Sequence, residues 1–414
     1  MLDRPIEGGY ADYTEYNLTE RLRKVVMSET VREKAPLNWV TTILFSATFA
    51  VAVTAVPIYG FMVGYDWVQW LMFTLVLGCC GMSITAGYHR LWSHRAYDAH
   101  WLVRAFFAFW GAGALQNSIL IWGSGHRRHH RHVDDNEKDP YSINRGFWFA
   151  HIGWMLRNYK SGTVDLANSQ DLQRDPIVMF QHKHYLALVL LSNIGVPALL
   201  GYLHGDIIGT LLLVGVARLV VSHHVTFFIN SLCHMWGGQP YTNTNTAKDN
   251  FFLALVTYGE GYHNFHHYFQ TDYRNGVRWW QFDPTKWAIN ALSWVKLTSN
   301  LRRVPDFKIQ EALVQMQFEK AKAHLNLLSH LPNMEAWKET LETEYQQFVQ
   351  TMADWKQLRG EWYQQKRQEF AEKKQELQDK WQRAVVRTRF LEMEYALKMQ
   401  RKRLQLFNLN FATA

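Results

Sequence analysis

Cysteine is scarce in this chain: three residues, Cys79, Cys80 and Cys233, in 414. None has zinc-type spacing, and three thiols cannot form the disulfide framework of a small secreted scaffold. No GxGxxG run is present, so the phosphate-cradling turn of a flavin or nicotinamide domain is missing, and no HPGG haem motif occurs. The start, MLDRPIEGGYADYTEY, lacks the charged-then-apolar form of a signal peptide. Two short links, GYD at 64–66 and HGD at 204–206, contain no Lys or Arg, in a chain of formal net charge +8.

Those uncharged links separate long apolar runs. Four stretches have the length and composition of membrane helices, near residues 39–63, 67–88, 185–203 and 207–230. A buried core helix is the alternative for any one of them, but four in two close pairs point to two membrane hairpins. The N-terminus, the middle loop and the C-terminal part carry the cations, so these three are expected on the cytoplasmic side. The first span then serves as the insertion signal. The expected organisation is a cytoplasmic segment 1–38, a unit 39–300 with a cap formed by 89–184 and 231–300, and a charged helical extension 301–414.

Histidine is concentrated where the spans end. Nineteen are present. HRLWSH supplies His89 and His94, HRRHH supplies His126, His129 and His130, NSLCH supplies His234 after Asn230, and HNFHH supplies His263, His266 and His267. In HxxHH the first ring lies three and four residues before the others, so on a helix all three share one side. HxxxxH is weaker, because residues five apart on an α-helix diverge, and it needs a frayed helix end to turn both rings inward. Nine imidazoles exceed the need of one ion and suit two ions with four or five nitrogens each. A phosphate-binding patch is the competing reading of SGHRRHHRHVDD, with Arg127, Arg128, Arg131 and His132 as its outward remainder. It explains one group, whereas HNFHHYF and NSLCHMW have no flanking cations.

At these motifs the sequence resembles the membrane-bound fatty acyl desaturases, closest to the stearoyl-CoA Δ9 branch. The resemblance runs over about residues 35–290 and is carried by MSITAGYHRLWSHRAY, HRRHHRHVDDNEKDPY, RGFWFAHIGWML, FINSLCHMWGGQPY and GEGYHNFHHYFQTDYRNG. It implies an all-α integral membrane protein with four spans in two hairpins, a helical cap, a di-iron centre and use of O2. By position, His89, His94, His126, His129, His130, His234, His263, His266 and His267 become iron ligands. Asn230 takes the place that holds a metal-bound water, although a helix cap is its plain alternative. Leu77 and Gly81 fall where the family closes the far end of its acyl tunnel, the small Gly81 leaving room for a long chain; ordinary helix packing is the alternative. Asn117, Arg145, His182 and Lys183 are candidates for the substrate headgroup. Among the other histidines, His100, His132, His151, His184, His223 and His224 match no ligand position and read as structural or surface groups.

One departure stands out. Where acyl-CoA desaturases commonly place an Arg-Asp pair before HxxHH, this chain has Ser124 and Gly125. The resemblance therefore leans to a bacterial-type branch without fused cytochrome b5, placed in a bacterial inner membrane. Acyl-CoA is the favoured substrate, with acyl-carrier protein or an intact lipid as alternatives. With no electron carrier recognised in the chain, a ferredoxin, a rubredoxin or cytochrome b5 with its reductase is the expected donor. Membrane lipid is the other partner, and no nucleic acid is expected.

Unactivated C–H bonds offer no acidic proton, so oxidation at a metal is the chemistry that fits these ligands. A lipid hydroxylase or ketolase would use the same histidines. A metal-transport or metal-sensing membrane protein is the non-enzyme reading. The resemblance is silent on residues 308–405, where Trp355, Trp362, Phe370, Leu377 and Trp381 recur at helical spacing between Pro305, Pro332 and the end. A helical extension packed on the cap is expected there; a lipid-binding helix and a docking arm for the electron donor are the alternatives.

Overall fold

The computed structural model describes residues 35–327, 334–371 and 379–412. In chain order its principal elements are α1 (Trp39–Met62), α2 (Trp67–Ser93), β1 (Asp98–Ala99), α3 (Trp101–Gly113), α4 (Ile119–His132), α5 (Pro176–Lys183), α6 (Tyr185–His204), α7 (Ile207–His234), α8 (Phe251–Val256), α9 (His263–Tyr268), α10 (Pro284–Trp294), β2 (Thr298–Ser299), α11 (Asp306–Leu327), α12 (Met334–Ala371) and α13 (Asp379–Ala412). Helices α1, α2, α6 and α7 are the four long and apolar enough to cross a membrane. They leave large apolar side chains such as Val40, Phe61, Leu186 and Leu203 exposed, as a hydrocarbon-facing surface requires.

The two cation-free links are built from interlocking caps. Asp66 accepts from the backbone N–H of Val68 and Gln69, and Gln69 Oε1 accepts from the Asp66 N–H, a capping box that starts α2. Gly205, at φ +95°, ends α6 in the left-handed region. Asp206 then caps α7 through the Gly209 N–H at 2.8 Å. The Asp206 carboxylate also accepts from Tyr59 Oη of α1 at 2.7 Å and from Gln69 Nε2 of α2 at 2.9 Å. One side chain thereby ties the first hairpin to the second.

Arg218, in the middle of α7, is fully buried among the spans. It donates to the Val214 carbonyl at 3.1 Å, the Gly113 carbonyl at 2.8 Å and Asn193 Oδ1 at 2.7 Å. A cation in a membrane interior survives by facing the bundle and using carbonyls in this way. His223, one turn and a half further on, contacts the Ala114 carbonyl through Nε2 at 3.0 Å. The two α7 side chains thus satisfy the C-terminal carbonyls of α3, a helix with one apolar face that runs beneath the cap. His151 and His224 contact each other at 3.0 Å, and His151 also reaches Ser231 Oγ. These three histidines are bonded structural groups, separate from the metal-site candidates.

The histidine-bearing ends of α2 and α7 extend beyond the expected span limits, to Ser93 and His234. From Ser83 to Ser93, α2 is a π-helix. The tail holds three helices, and α11, α12 and α13 pack around Phe307, Val314, Phe318, Phe348, Trp355, Leu397 and Leu404. Trp355 is in that core and Trp362 is half-buried. The side chains of Phe370, Leu377 and Trp381, and the break at Pro332, lie outside the described residues, as does segment 1–34.

Asp206→Ala removes three hydrogen bonds at a half-buried site. It is expected to cost about 1–3 kcal/mol and to lower the unfolding midpoint in detergent. An unchanged midpoint would show that the loop cluster does not join the hairpins.

Candidate metal centre

Helices α2, α4, α7 and α9 bring all nine motif histidines to one buried place, in two groups. His89, His94, His126, His130 and His266 form one, and His129, His234, His263 and His267 the other, with the ligand nitrogens in each within 4.8 Å of one another. The HxxxxH pair does not use a frayed end. In the π-helical turn the His94 N–H bonds to the His89 carbonyl at 3.1 Å, five residues back, so the two rings fall on one side. Each HxxHH box is divided. His126 and His130 of α4 join the first group and His129 the second, whereas His263 and His267 of α9 join the second and His266 the first. Positions i and i+4 follow one stripe of a helix, and i+3 lies on the adjacent stripe.

Nearest Nε2–Nε2 separations are 2.9 Å for His89–His266, 2.8 Å for His94–His126 and 3.0 Å for His130–His266 in the first group. In the second they are 3.2 Å for His234–His263, 3.1 Å for His263–His267 and 3.3 Å for His129–His267. An ion about 2.1 Å from each nitrogen sets neighbouring ligands roughly 3.0–3.4 Å apart, close to the 2.8–3.3 Å seen here.

The other ring nitrogens show which way the lone pairs face. His89 Nδ1 donates to Glu260 at 2.9 Å and His129 Nδ1 to Asp139 at 2.9 Å. His234 Nδ1 donates to Thr246 Oγ1 at 2.8 Å, whose own proton goes to Asp134 at 2.6 Å. His126 Nδ1 lies 3.3 Å from Tyr141 Oη. With Nδ1 protonated and engaged, Nε2 of His89, His129 and His234 presents a lone pair to its neighbours. Such convergence is repulsive until a cation stands between them, and a carboxylate behind a ligand imidazole is the usual support of a metal site.

Burial first, and then neighbouring imidazoles, push the pKa values of His94, His126, His130, His263, His266 and His267 well below the ordinary histidine value. The rings are therefore neutral, as metal ligation requires. Burial opposes ionisation of Glu260, but His89 and the paired Arg90 guanidinium outweigh it and hold the carboxyl down to about 2. Arg90 also binds Asp283 at 3.0 Å and the Tyr273 carbonyl at 2.9 Å. These supports have no repeating spacing in the sequence, so they could not be picked out there. Arg127 is also reassigned. It is not outward; it binds Asp171 and the Trp92 and Ser93 carbonyls, and so clamps the π-helical end of α2.

Beside the centre lies a cavity of about 510 Å³, within the roughly 300–1,000 Å³ of ligand pockets. Leu44, Phe45, Ile84, Leu115, Ile121 and Phe227 give it apolar walls, and His89, His126, His129 and His263 reach it. Asn117 and Asn230 line it as well. Gln116 lines it and donates to Thr226 at 2.8 Å, in a turn where Leu115 and Asn117 take positive φ. Arg128, Arg157 and Lys160 supply cations to its lining. The last two follow the HIGWML stretch and were open to notice as a basic pair beside a motif.

Other expected contacts are absent from this cavity. Lys183 is exposed and does not line it; Arg145 stacks over Phe149 at 3.6 Å and Tyr159 at 4.4 Å. His182 Nδ1 contacts Ser118 Oγ at 2.7 Å. Leu77 and Gly81 are not on its wall either. A Cβ on Gly81 would come within 2.4 Å of the Tyr258 ring, and Tyr258 Oη donates to the Leu77 carbonyl at 3.3 Å. The room beside Gly81 is filled by tyrosine, so it is not space for a longer chain.

Fold and site together define a membrane protein with two adjoining histidine groups, each able to hold a metal ion, at the edge of an apolar cavity. The family model "Fatty acid desaturase" matches residues 65–293, and the chain belongs to the fatty acid desaturase family. It is similar to a probable acyl-CoA desaturase of Schizosaccharomyces pombe, 43% identical over 307 residues, covering 72% of this chain and 63% of the relative. Acyl-CoA desaturase 1 of Saccharomyces cerevisiae is 44% identical over 261 residues, 62% of this chain and 51% of the relative. Stearoyl-CoA desaturase 5 of Bos taurus is 36% identical over 239 residues, 56% of this chain and 70% of the relative. The chain thus spans about half to just under two thirds of the two yeast proteins' length. All three relatives are eukaryotic, so the bacterial-type branch expected from Ser124 and Gly125 has no support here. In the structure Ser124 Oγ bonds the Asp165 carbonyl, and both residues line the cavity without supplying charge.

Glu260→Gln removes the anion behind His89 while keeping its shape. It is expected to weaken metal binding about 10–100-fold in chelator competition, with the fold retained; unchanged affinity would remove Glu260 from the site. Gly81→Ala is expected to destabilise the protein by about 1–3 kcal/mol through collision with Tyr258, leaving the accepted chain length unaltered.

Proposed function

We propose that the protein is an O2-dependent fatty acyl desaturase that introduces a cis double bond, at the Δ9 position, into a saturated long-chain acyl-CoA. The observation that carries this reading is the placement of nine buried, mutually facing imidazoles beside an apolar cavity that also has cations in its lining. The nine histidines hold two iron ions, with Asn230 acting on one of them through a water. The iron pair, once bound, supplies activation of O2 and the oxidising power to break unactivated C–H bonds.

The chain's own residues do the selecting. Leu44, Phe45, Ile84 and Phe227 exclude water and accept methylenes. A saturated chain offers no distinguishing group at the reacting carbons, so depth in the cavity chooses them. Arg128, Arg157 and Lys160 set that depth by holding the anionic phosphates of the thioester carrier, the role that Ser124 and Gly125 do not fill. The names of the yeast and cattle relatives, acyl-CoA and stearoyl-CoA desaturases, agree with this substrate class.

The electrons come from a carrier of the ferredoxin, rubredoxin or cytochrome b5 kind. The cationic cap and both ends of the chain face the cytoplasm. A metal transporter fits less well, because no Asp or Glu lies within the four spans to mark an ion path.

Expression in a cell that lacks monounsaturated fatty acids, followed by double-bond mapping of its lipids, tests the reading. New cis bonds at one position are expected, and His266→Ala is expected to abolish them while the protein stays in the membrane. Hydroxylated chains would identify an oxygen-inserting enzyme instead. Unaltered lipids with iron bound and a working donor would overturn both. Assay of purified protein with acyl-CoA, acyl-carrier protein and phospholipid distinguishes the carriers.

A further inference from the structure

The family match ends at residue 293, and the tail beyond it has no counterpart in the motifs. Residues 297–313 are nonetheless joined to both segments that leave the histidine ligands. Next to His94, the Ala96 carbonyl accepts from the Arg302 N–H at 2.9 Å, and the His100 N–H donates to the Leu297 carbonyl at 2.8 Å. Between them β1 and β2 pair antiparallel, Asp98 opposite Ser299 and Ala99 opposite Thr298. Beyond α9, the Tyr273 N–H donates to the Arg302 carbonyl at 3.0 Å and the Val304 N–H to Asp272 Oδ2 at 2.9 Å. Arg303 Nη2 donates to Tyr273 Oη at 2.9 Å. Arg302 alone therefore bridges the exit from the first histidine pair and the exit from the last box.

The strand then enters α11. Ile309 and Leu313, one turn apart, are buried in a cluster with Phe265, and Tyr241, Phe269, Val277 and Val304 complete it. Phe265 is 1% exposed and lies within α9, between His263 and His266. Helix α9 has six residues, too few to hold a helical shape unaided, so tertiary packing must fix its rotation. That rotation matters because α9 gives two nitrogens to one group and one to the other.

We propose that residues 297–313 form a strap that sets the rotation of the last histidine box, with Ile309 and Leu313 as positioning residues for His263, His266 and His267. The inference rests on the reading of the nine histidines as a two-metal site, and not on which lipid is oxidised. The tail beyond the family region is then part of the metal centre's support, acting on the face of α9 away from the ligands.

The test uses the full chain in detergent, stripped of metal and titrated with Co2+ alone, whose visible absorption reports ligand number and geometry. I309A/L313A is expected to lower Co2+ affinity about tenfold or more at both groups and to change the band shape. The conservative I309L/L313M is expected to restore both. Phe348→Ala, in the tail core and outside the cluster around Phe265, serves as the comparison and is expected to lower the unfolding midpoint with an unchanged cobalt spectrum. Wild-type affinity and spectrum in I309A/L313A would overturn the proposal, as would an equal loss in Phe348→Ala. If the double variant does not fold, Ile309→Val is read in the same way, a smaller shift of the same bands supporting the strap and an unshifted spectrum refuting it. Two Co2+ ions failing to bind the unaltered chain would instead refute the two-metal reading itself.

Discussion

Electron pairs aimed at one another across about 3 Å are the constraint on which this structure depends. Nine buried imidazoles crowd their ring nitrogens against one another, an arrangement that bound cations would favour. The surrounding architecture resists relaxation. Glu260 and Asp139 fix two rings by their outer nitrogens, and Asp134 fixes a third through Thr246. Arg90, itself held by Asp283, in turn holds Glu260, so the restraint extends into the base of α10.

The apolar surroundings impose the second constraint. Groups within the spans have no water to fall back on, and each polar atom needs a partner within the protein. Arg218 and His223 answer this by binding the carbonyls at the end of α3, and the same contacts place the turn 114–117 against the cavity. Satisfying the backbone and shaping the wall next to the metal centre are one structural act. At the opposite end of the spans, Asp206 performs the corresponding task for the hairpins.

Much of this was legible in the sequence because it follows from periodicity and length. The spans and the clustering of the nine histidines follow from apolar run length and i, i+3, i+4 spacing. The split of each HxxHH box between two groups was not legible, all three rings being expected on one side. The HxxxxH geometry was not either, since an α-helical rule separates residues that a π-turn brings together. Gly81 was misread because glycine alone does not say whether its missing side chain leaves a void or admits a neighbour; Tyr258, 177 residues later, fills the space. Glu260, Asp139 and Ile309 escaped for a related reason. Their importance lies in contacts distant in sequence or irregular in spacing, which no periodic pattern reveals even where, as with Glu260 and Asp139, they stand inside a quoted motif. The tail showed a helical stripe at Trp355 and Trp362, but the assembly of three helices around Phe318, Phe348 and Leu397 required the tertiary structure.

The divided boxes carry a consequence for how the centre fills. On each of the two box helices, the i+3 ring and the i, i+4 pair serve different ions. Turning either helix to bring its pair closer to one ion swings its single ring away from the other. Neither site can therefore be adjusted alone. A cation held by either group would restrain both box helices and so place the nitrogens of the other group, which would make loading of the pair cooperative.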